Sequence, residues 1–370
     1  MAPELAIEAL EGLPRGRVVL DPMCGSGTVI RHAAERGQCA LGFDLDPLAV
    51  LMSRVAVRHT RAERAVDAAE RLVDQASGLR SARLPWIDAD SETRDFIAYW
   101  FAARQRGQLR RLGGLLLGKR GPIADVLRVG LSRTIITKDS GASLARDVSH
   151  SRPHRVTDSN SYDVYAGFLT AVRRVAELVD RPVAGSASVK LGDARRLPRA
   201  LDGSVDLVIT SPPYLNAIDY MRGHRLSLVW LGYQLSALRS VRSSAVGAER
   251  APDSLDTASV APRYKALTPR QQSMLNRYAQ DMCVFMGEIA RKLRPKGEAI
   301  IIVGDCTIRG AYVRNSVVVA RAAERAGLKL VDRKSRRLPA DSRYLPPPSG
   351  GTGPLSKRMK SEIVLRLAKT

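Results

Sequence analysis

Apolar positions in this chain recur in two rhythms, one helical and one of compact strand-like runs, and their alternation predicts most of its elements. Between residues 3 and 12 the apolar positions keep helical spacing and stop at Gly12, the pattern of a short helix ahead of a strand. Arg17 to Leu20 is an apolar run that enters the turn Asp21-Pro-Met-Cys-Gly-Ser-Gly-Thr28. A helical rhythm follows from Thr28 to Arg36 and ends at Gly37. Gln38 to Asp44 reads as a second buried strand, with a further helix from about Pro47, a residue tolerated in a helix's first turn. A strand, a glycine turn, a helix and a strand ending in an acid, in roughly 30 residues, match a right-handed parallel crossover.

The same alternation resumes later. Ala187 to Leu191, ending in Gly192-Asp193, and Val205 to Thr210 read as strands, and Tyr278 to Leu293 as a long helix. Glu298 to Val303 is a strand, Ser316 to Ala326 a helix, and Leu328 to Asp332 and Glu362 to Leu367 are strands separated by a loop at 334–361. That terminal pair predicts an antiparallel edge on an otherwise parallel sheet. The stretch between the halves breaks the pattern. Its first part is charged and helical, with Trp86, Phe96, Tyr99, Trp100 and Phe101 as apolar anchors, and its later part, Thr137 to His154, is polar and aperiodic. The expected organisation is therefore a cofactor half at 1–57, a helical insertion at 58–185 and a catalytic half at 186–370, with a second irregular insertion at about 233–275.

The chain of 370 residues carries a formal net charge of +22, which points to a polyanionic partner. Residues 1–57 hold 5 basic and 7 acidic side chains, a net −2, so the excess lies in the remainder and the first segment serves some other ligand. The four cysteines Cys24, Cys39, Cys283 and Cys306 form no CxxC pair, so neither a zinc site nor a disulfide framework is expected. No basic, apolar leader opens the sequence and no apolar run nears membrane length, which fits a reduced cytoplasmic setting without membrane contact.

Two turns carry the chemistry. In Ser211-Pro-Pro-Tyr214, at the end of the strand 205–210, two prolines stiffen the backbone and remove donors. The Ser211 hydroxyl and the carbonyls around Pro212 are left as acceptors, which suits an exocyclic amino group, and Tyr214 offers a flat face to a base. In the first turn Gly25-x-Gly27 lets backbone approach a ligand, but no third glycine completes a dinucleotide fingerprint. Asp44 is placed to accept both hydroxyls of a ribose and Asp193 an adenine amino group, so a nucleoside with a short charged tail fits better than a pyrophosphate.

Taken together, DPMCGSGT at 21–28, GFDLDP at 42–47, GDAR at 192–195 and SPPY at 211–214 resemble the ordered motifs of S-adenosylmethionine-dependent methyltransferases acting on exocyclic amino groups, chiefly of DNA. The resemblance covers residues 1–57 and 186–370, and implies a Rossmann-like class I α/β fold: a mostly parallel seven-stranded sheet with its last strand reversed at the edge, here with a helical insertion. It implies that Asp21, Gly25 and Gly27 lie along the methionine part of the cofactor, with Pro22, Met23, Ser26 and Thr28 of the same turn, that Asp44 holds the ribose and Asp193 the adenine. It assigns catalysis to Ser211, Pro212, Pro213 and Tyr214. The serine variant of the turn is similar to that of N4-cytosine enzymes, although the motif order and the insertion differ from their commonest arrangement. The stretch Thr137 to His154 also resembles a segment of DNA methylases without an assigned target.

An aromatic amine attacks a sulfonium methyl poorly because its lone pair is delocalised. Acceptors at Ser211 and beside Pro212 would favour a pyramidal nitrogen nearer the transition state, and Tyr214 would stack on a base flipped from duplex DNA. Attack through a cysteine at carbon 5 would need a Pro-Cys turn, and none is present. Arg146, Arg152 and Arg155 in the insertion, and Arg336 and Arg337 in the run Arg333 to Arg337, are candidate phosphate or base contacts. His150 and His154 lack a third ligand for a metal, and Trp230 lies in an apolar helical stretch that predicts a core position. N4 of cytosine is the leading target; N6 of adenine and, further off, N2 of an RNA guanine stay open. A cognate restriction nuclease would be a natural partner of such an enzyme.

Overall fold

The structure is a computed structural model that describes residues 3–137, 140–146, 153–215, 220–247, 257–308, 311–337 and 361–370. Its backbone contacts divide it into two compact units, one of residues 1–45, 184–218 and 243–370, the other of residues 46–183 and 219–242.

The first unit is built on a seven-stranded sheet. Its strands are β1 (Val18–Asp21), β2 (Cys39–Asp44), β3 (Ser186–Leu191), β4 (Val205–Thr210), β5 (Leu293–Val303), β6 (Leu328–Arg337) and β7 (Ser361–Lys369). They lie in the order β6-β7-β5-β4-β1-β2-β3. β1 pairs in parallel with β2 and β4, β2 with β3, and β4 with β5, whereas β7 is antiparallel to both β5 and β6. The expected antiparallel terminal pair is thus present, with the reversed strand one place in from the edge. Among the described residues the α-helices of this unit are α1 (Pro3–Ala9), α2 (Thr28–Glu35), α3 (Pro269–Lys292) and α4 (Asn315–Arg325). α3 begins farther upstream than periodicity predicts, because Thr268, just ahead of Pro269, forms a capping box with Gln271 of the first turn. Its face of Tyr278, Phe285 and Met286 packs into the cluster that holds Leu20, Val208, Ile301 and Leu365 of the sheet.

The run Arg333 to Arg337 lies in strand β6 and not in a loop, each residue paired in register with Leu365 to Ser361 of β7. β6 is an edge strand, and a row of basic side chains there discourages further strand pairing, which is why a strand carries a loop-like composition.

The second unit is mainly helical, with helices at 47–57, 62–78, 85–88, 91–100, 103–117, 122–133, 164–179 and 221–228, nearly all of 235–243, and a two-stranded ribbon of Ala145–Arg146 against His154–Arg155. Helical spacing sets its core: Ala65, Ala69, Leu72 and Ala76 are buried on one face of helix 62–78. Helix 164–179 packs so close to helix 122–133 that a side chain at Gly130 would collide with Val172. Trp230 is 1% exposed and meets Phe101 edge-on at 5.2 Å, the core position its sequence context predicts. Replacing Trp230 with alanine should cost about 3–5 kcal/mol, read as an earlier urea midpoint; an unchanged midpoint would show that Trp230 adds nothing to this core. Among the described residues no helix is long and apolar enough to cross a membrane.

Candidate active site

The chain runs from β1 to β2 and β3 on one side, then returns to β4 and β5 on the other, so the connection reverses between β1 and β4. In an open parallel sheet that point leaves a crevice at the carboxyl ends of the strands. Both chemistry-bearing turns leave the sheet there: residues 21–28 follow β1 and Ser211 to Tyr214 follow β4.

The first turn is tied through its backbone amides to the end of β2. The amide of Cys24 donates to the carbonyl of Phe43 at 2.9 Å, and the amide of Gly25 donates to Oδ2 of Asp44 at 2.9 Å. Gly25 and Gly27 have φ of 52° and 88°, a left-handed path that favours glycine, and Gly27 caps α2. Below them Gly42 is closely packed: a Cβ would lie 3.2–3.3 Å from the side chains of Ile30, Cys24 and Val189, which would have to shift by a few tenths of an ångström. Asp21 is 3% exposed and accepts from the amide of Met23 at 3.2 Å. Burial pushes its carboxyl up to about 7, and the nearby charge of Asp44 adds to the effect.

Asp44 stands beside the next strand end, where its carbonyl accepts from the amide of Gly192 at 2.9 Å. Asp193 follows at once, but its carboxylate is engaged by Arg195 through Nε at 3.0 Å and Nη2 at 2.8 Å. Arg195 also donates to the buried Asp281 of α3 at 2.6 Å and to the carbonyl of Ser244. Despite its burial, the hydrogen bonds it donates to these two carboxylates hold the guanidinium charged well above its ordinary range. A ligand amine reaching Asp193 would therefore meet a carboxylate already clamped in direction.

In the second turn, Oγ of Ser211 lies 3.2 Å from the hydroxyl of Tyr214, which donates to Oε1 of Glu362 on β7 at 3.3 Å. Pro212 is buried and Pro213 exposed. Sequence reasoning missed Arg195, Asp281 and Glu362, whose roles come from contacts across 49 to 148 positions of chain.

Seven strands in this order, with the last reversed and inserted between the fifth and sixth, decide the architecture. The chain has a Rossmann-like class I S-adenosylmethionine-dependent methyltransferase fold. No protein-family profile matches the chain. A segment of 48 residues, 13% of the chain, is 44% identical to the Type II methyltransferase M.BsoBI of Geobacillus stearothermophilus and spans 9% of that protein's length. Among solved structures, an S-adenosylmethionine-dependent methyltransferase from Methanosarcina mazei aligns over 100% of this chain and 98% of its own, with 9% identity and a TM-score of 0.37. Geranyl diphosphate methyltransferase in complex with S-adenosylmethionine aligns over 100% and 84%, with 8% identity and a TM-score of 0.37. TrmN from Thermus thermophilus aligns over 100% and 49%, with 12% identity and a TM-score of 0.32.

The crevice of this methyltransferase fold suits the cofactor chemically. S-Adenosylmethionine is cationic at its sulfonium and at its ammonium, and the glycine turn places a buried carboxyl, Asp21, next to a second acid, Asp44, with no basic side chain hydrogen-bonded to Asp21 among the described residues. Two acids that repel each other favour a cation between them.

The basic candidates fall in different places. Arg336 donates to Glu4 of α1 at 3.3 Å, and Arg337 is exposed on the edge strand. In the helical unit Arg146 and Arg155 sit on the two-stranded ribbon, Arg155 paired with Asp158 at 2.7 Å and stacked 5.0 Å over Tyr99. His154 pairs in register with Arg146 on that ribbon. Arg152 and His150 lie outside the described residues. No group of acidic, histidine or cysteine side chains suited to a metal occurs among the described residues.

Proposed function

We propose that the chain is a DNA methyltransferase that transfers a methyl group from S-adenosylmethionine to N4 of a cytosine flipped out of the duplex. The observation that carries this reading is the Ser211 to Tyr214 turn, which leaves β4 beside the glycine turn of β1 and presents acceptors next to an aromatic ring. Bound there, the cofactor supplies an electrophilic sulfonium methyl. Asp21, Gly25 and Gly27 would hold its methionine part, with Pro22, Met23, Ser26 and Thr28 of the same turn, while Asp44 would take the ribose and Asp193 the adenine amine. Ser211 and a carbonyl beside Pro212 would accept the two hydrogens of the target amine and direct its lone pair at the methyl. Tyr214 would stack on the extruded base.

The +22 charge supports a nucleic-acid substrate, and Arg146, Arg152, Arg155, Arg336 and Arg337 are its proposed contacts. Such an enzyme would act in the cytoplasm at the nucleoid, alone or beside a cognate nuclease. Incubation with methyl-labelled cofactor and mixed-sequence duplex DNA, digestion to nucleosides and mass analysis test the reading directly. N4-methylcytosine is expected. N6-methyladenine would keep the mechanism and overturn the base, whereas label in RNA alone would overturn DNA as the substrate.

A further inference from the structure

Glu362 is the second residue of β7, the strand that runs against its neighbours, so it lies at the same sheet edge from which the Ser211 turn departs. Thr210 registers with Ile301 and Ile363 with Val303, which places Glu362 two strands from Ser211 and close to its level. The Tyr214 side chain spans the gap. Glu362 is 9% exposed, and its Oε2 is buried with no hydrogen-bond partner among the described residues. On the other side Arg336 of β6 registers opposite it and donates through Nη2 to Glu4. A buried carboxylate with unspent acceptor capacity is costly unless a function uses it.

The direction of the hydrogen bonds decides what that function is. A carboxylate only accepts, and a phenol has one hydrogen. Tyr214 donates that hydrogen to Glu362, so toward Ser211 its oxygen is the acceptor. The Ser211 hydroxyl therefore donates to Tyr214 across 3.2 Å, and its lone pairs are left for an incoming N–H. Glu362, through Tyr214, turns a hydroxyl that could play either part into an acceptor.

We propose that Glu362 is the terminal proton acceptor of a Ser211–Tyr214–Glu362 relay and the residue that sets its polarity. This rests on Ser211 being the acceptor for the target amine. When the amine lone pair bonds to the methyl carbon, the carbon–sulfur pair returns to sulfur, S-adenosylhomocysteine is left and the nitrogen carries a positive charge and one proton too many. Oγ of Ser211 takes that proton and passes its own hydrogen to the Tyr214 oxygen. Tyr214 passes its phenolic hydrogen to Oε1 of Glu362, leaving a neutral methylated amine and a protonated carboxyl. Every hydroxyl ends with one hydrogen, and no other reactant is needed.

Glu362→Gln keeps the size of the side chain but ends the relay, and its amide can donate to Tyr214 and reverse the chain. Tyr214→Phe keeps the ring for stacking and removes the hydroxyl. Steady-state and single-turnover methylation of duplex DNA by the full chain should show kcat lowered about 10²-fold or more in each variant, with the KM for DNA and the Kd for S-adenosylmethionine within about threefold of the parent. The double variant should be no slower than either single one, because both break one path. Matching thermal melts establish that the variants fold. A Glu362→Gln protein that methylates DNA at the parental kcat sinks the relay alone. A parent that labels no DNA amine sinks the reading of Ser211 and the relay with it.

Discussion

Ser211→Ala is expected to lower kcat for methyl transfer to DNA by about 10²- to 10³-fold, the usual effect of removing one preorganised hydrogen-bonding group from a transition state. The substitution deletes Oγ and leaves both prolines, so the path of the turn is unchanged. On the proposed assignment the turn after β1 and Asp44 hold the cofactor, so its binding should stay within about twofold, since Oγ of Ser211 serves the target amine and the Tyr214 hydroxyl and not the cofactor. Single-turnover transfer separates the chemical step from product release, and calorimetric titration gives the cofactor Kd. Parental single-turnover rates in Ser211→Ala would show that the backbone carbonyls suffice. Weakened cofactor binding with intact chemistry would move Ser211 to the cofactor.

Cofactor affinity should rise with pH, about tenfold per unit between pH 5 and 7, and level off above. The cause is Asp21, whose carboxyl burial pushes up to about 7. Its ionised form attracts a cation and its neutral form does not, so the competent fraction falls tenfold with each unit below that value. Asp21→Asn should bind more weakly at pH 8 and show a flat profile. The same shift acts on folding with a definite sign. Asp21 holds its proton more tightly in the folded chain than at the ordinary 3.8, so its contribution to stability is present at low pH and lost as pH rises through 7. The span from 3.8 to about 7 corresponds to roughly 4 kcal/mol at most. Asparagine can still accept from Met23, so Asp21→Asn without cofactor should melt higher than the parent at pH 8 and alike at pH 4. A parent whose affinity is constant from pH 5 to 8 would exclude Asp21 from cofactor binding.

The two turns are legible in the residues alone because each is local. Asp21, Gly25 and Gly27 sit within a few residues of an apolar strand and an amphipathic helix, and Asp44 ends the next strand, so spacing places them at one sheet edge. Ser211 to Tyr214 are legible for the same reason, since prolines constrain the backbone wherever they occur. Asp193 shows where this stops. Its position after a strand is readable, but its capture by Arg195, with Asp281 from a helix 86 residues past Arg195, is not. The basic run of β6 misleads in the opposite sense, because the charge that reads as loop is also what an edge strand carries.

Local patterning settles the succession of strands, turns and helices along the chain, the acidity of the turn after β1 and the place of the Ser211 hydroxyl beside an aromatic ring, since periodicity and turn stereochemistry act over a few residues. Long-range packing alone settles that β7 threads antiparallel between β5 and β6, and with it that Glu362 meets Tyr214 from 148 positions away. Strand order follows from how apolar faces and backbone groups across the whole chain are satisfied together, and no local pattern of residues records that choice.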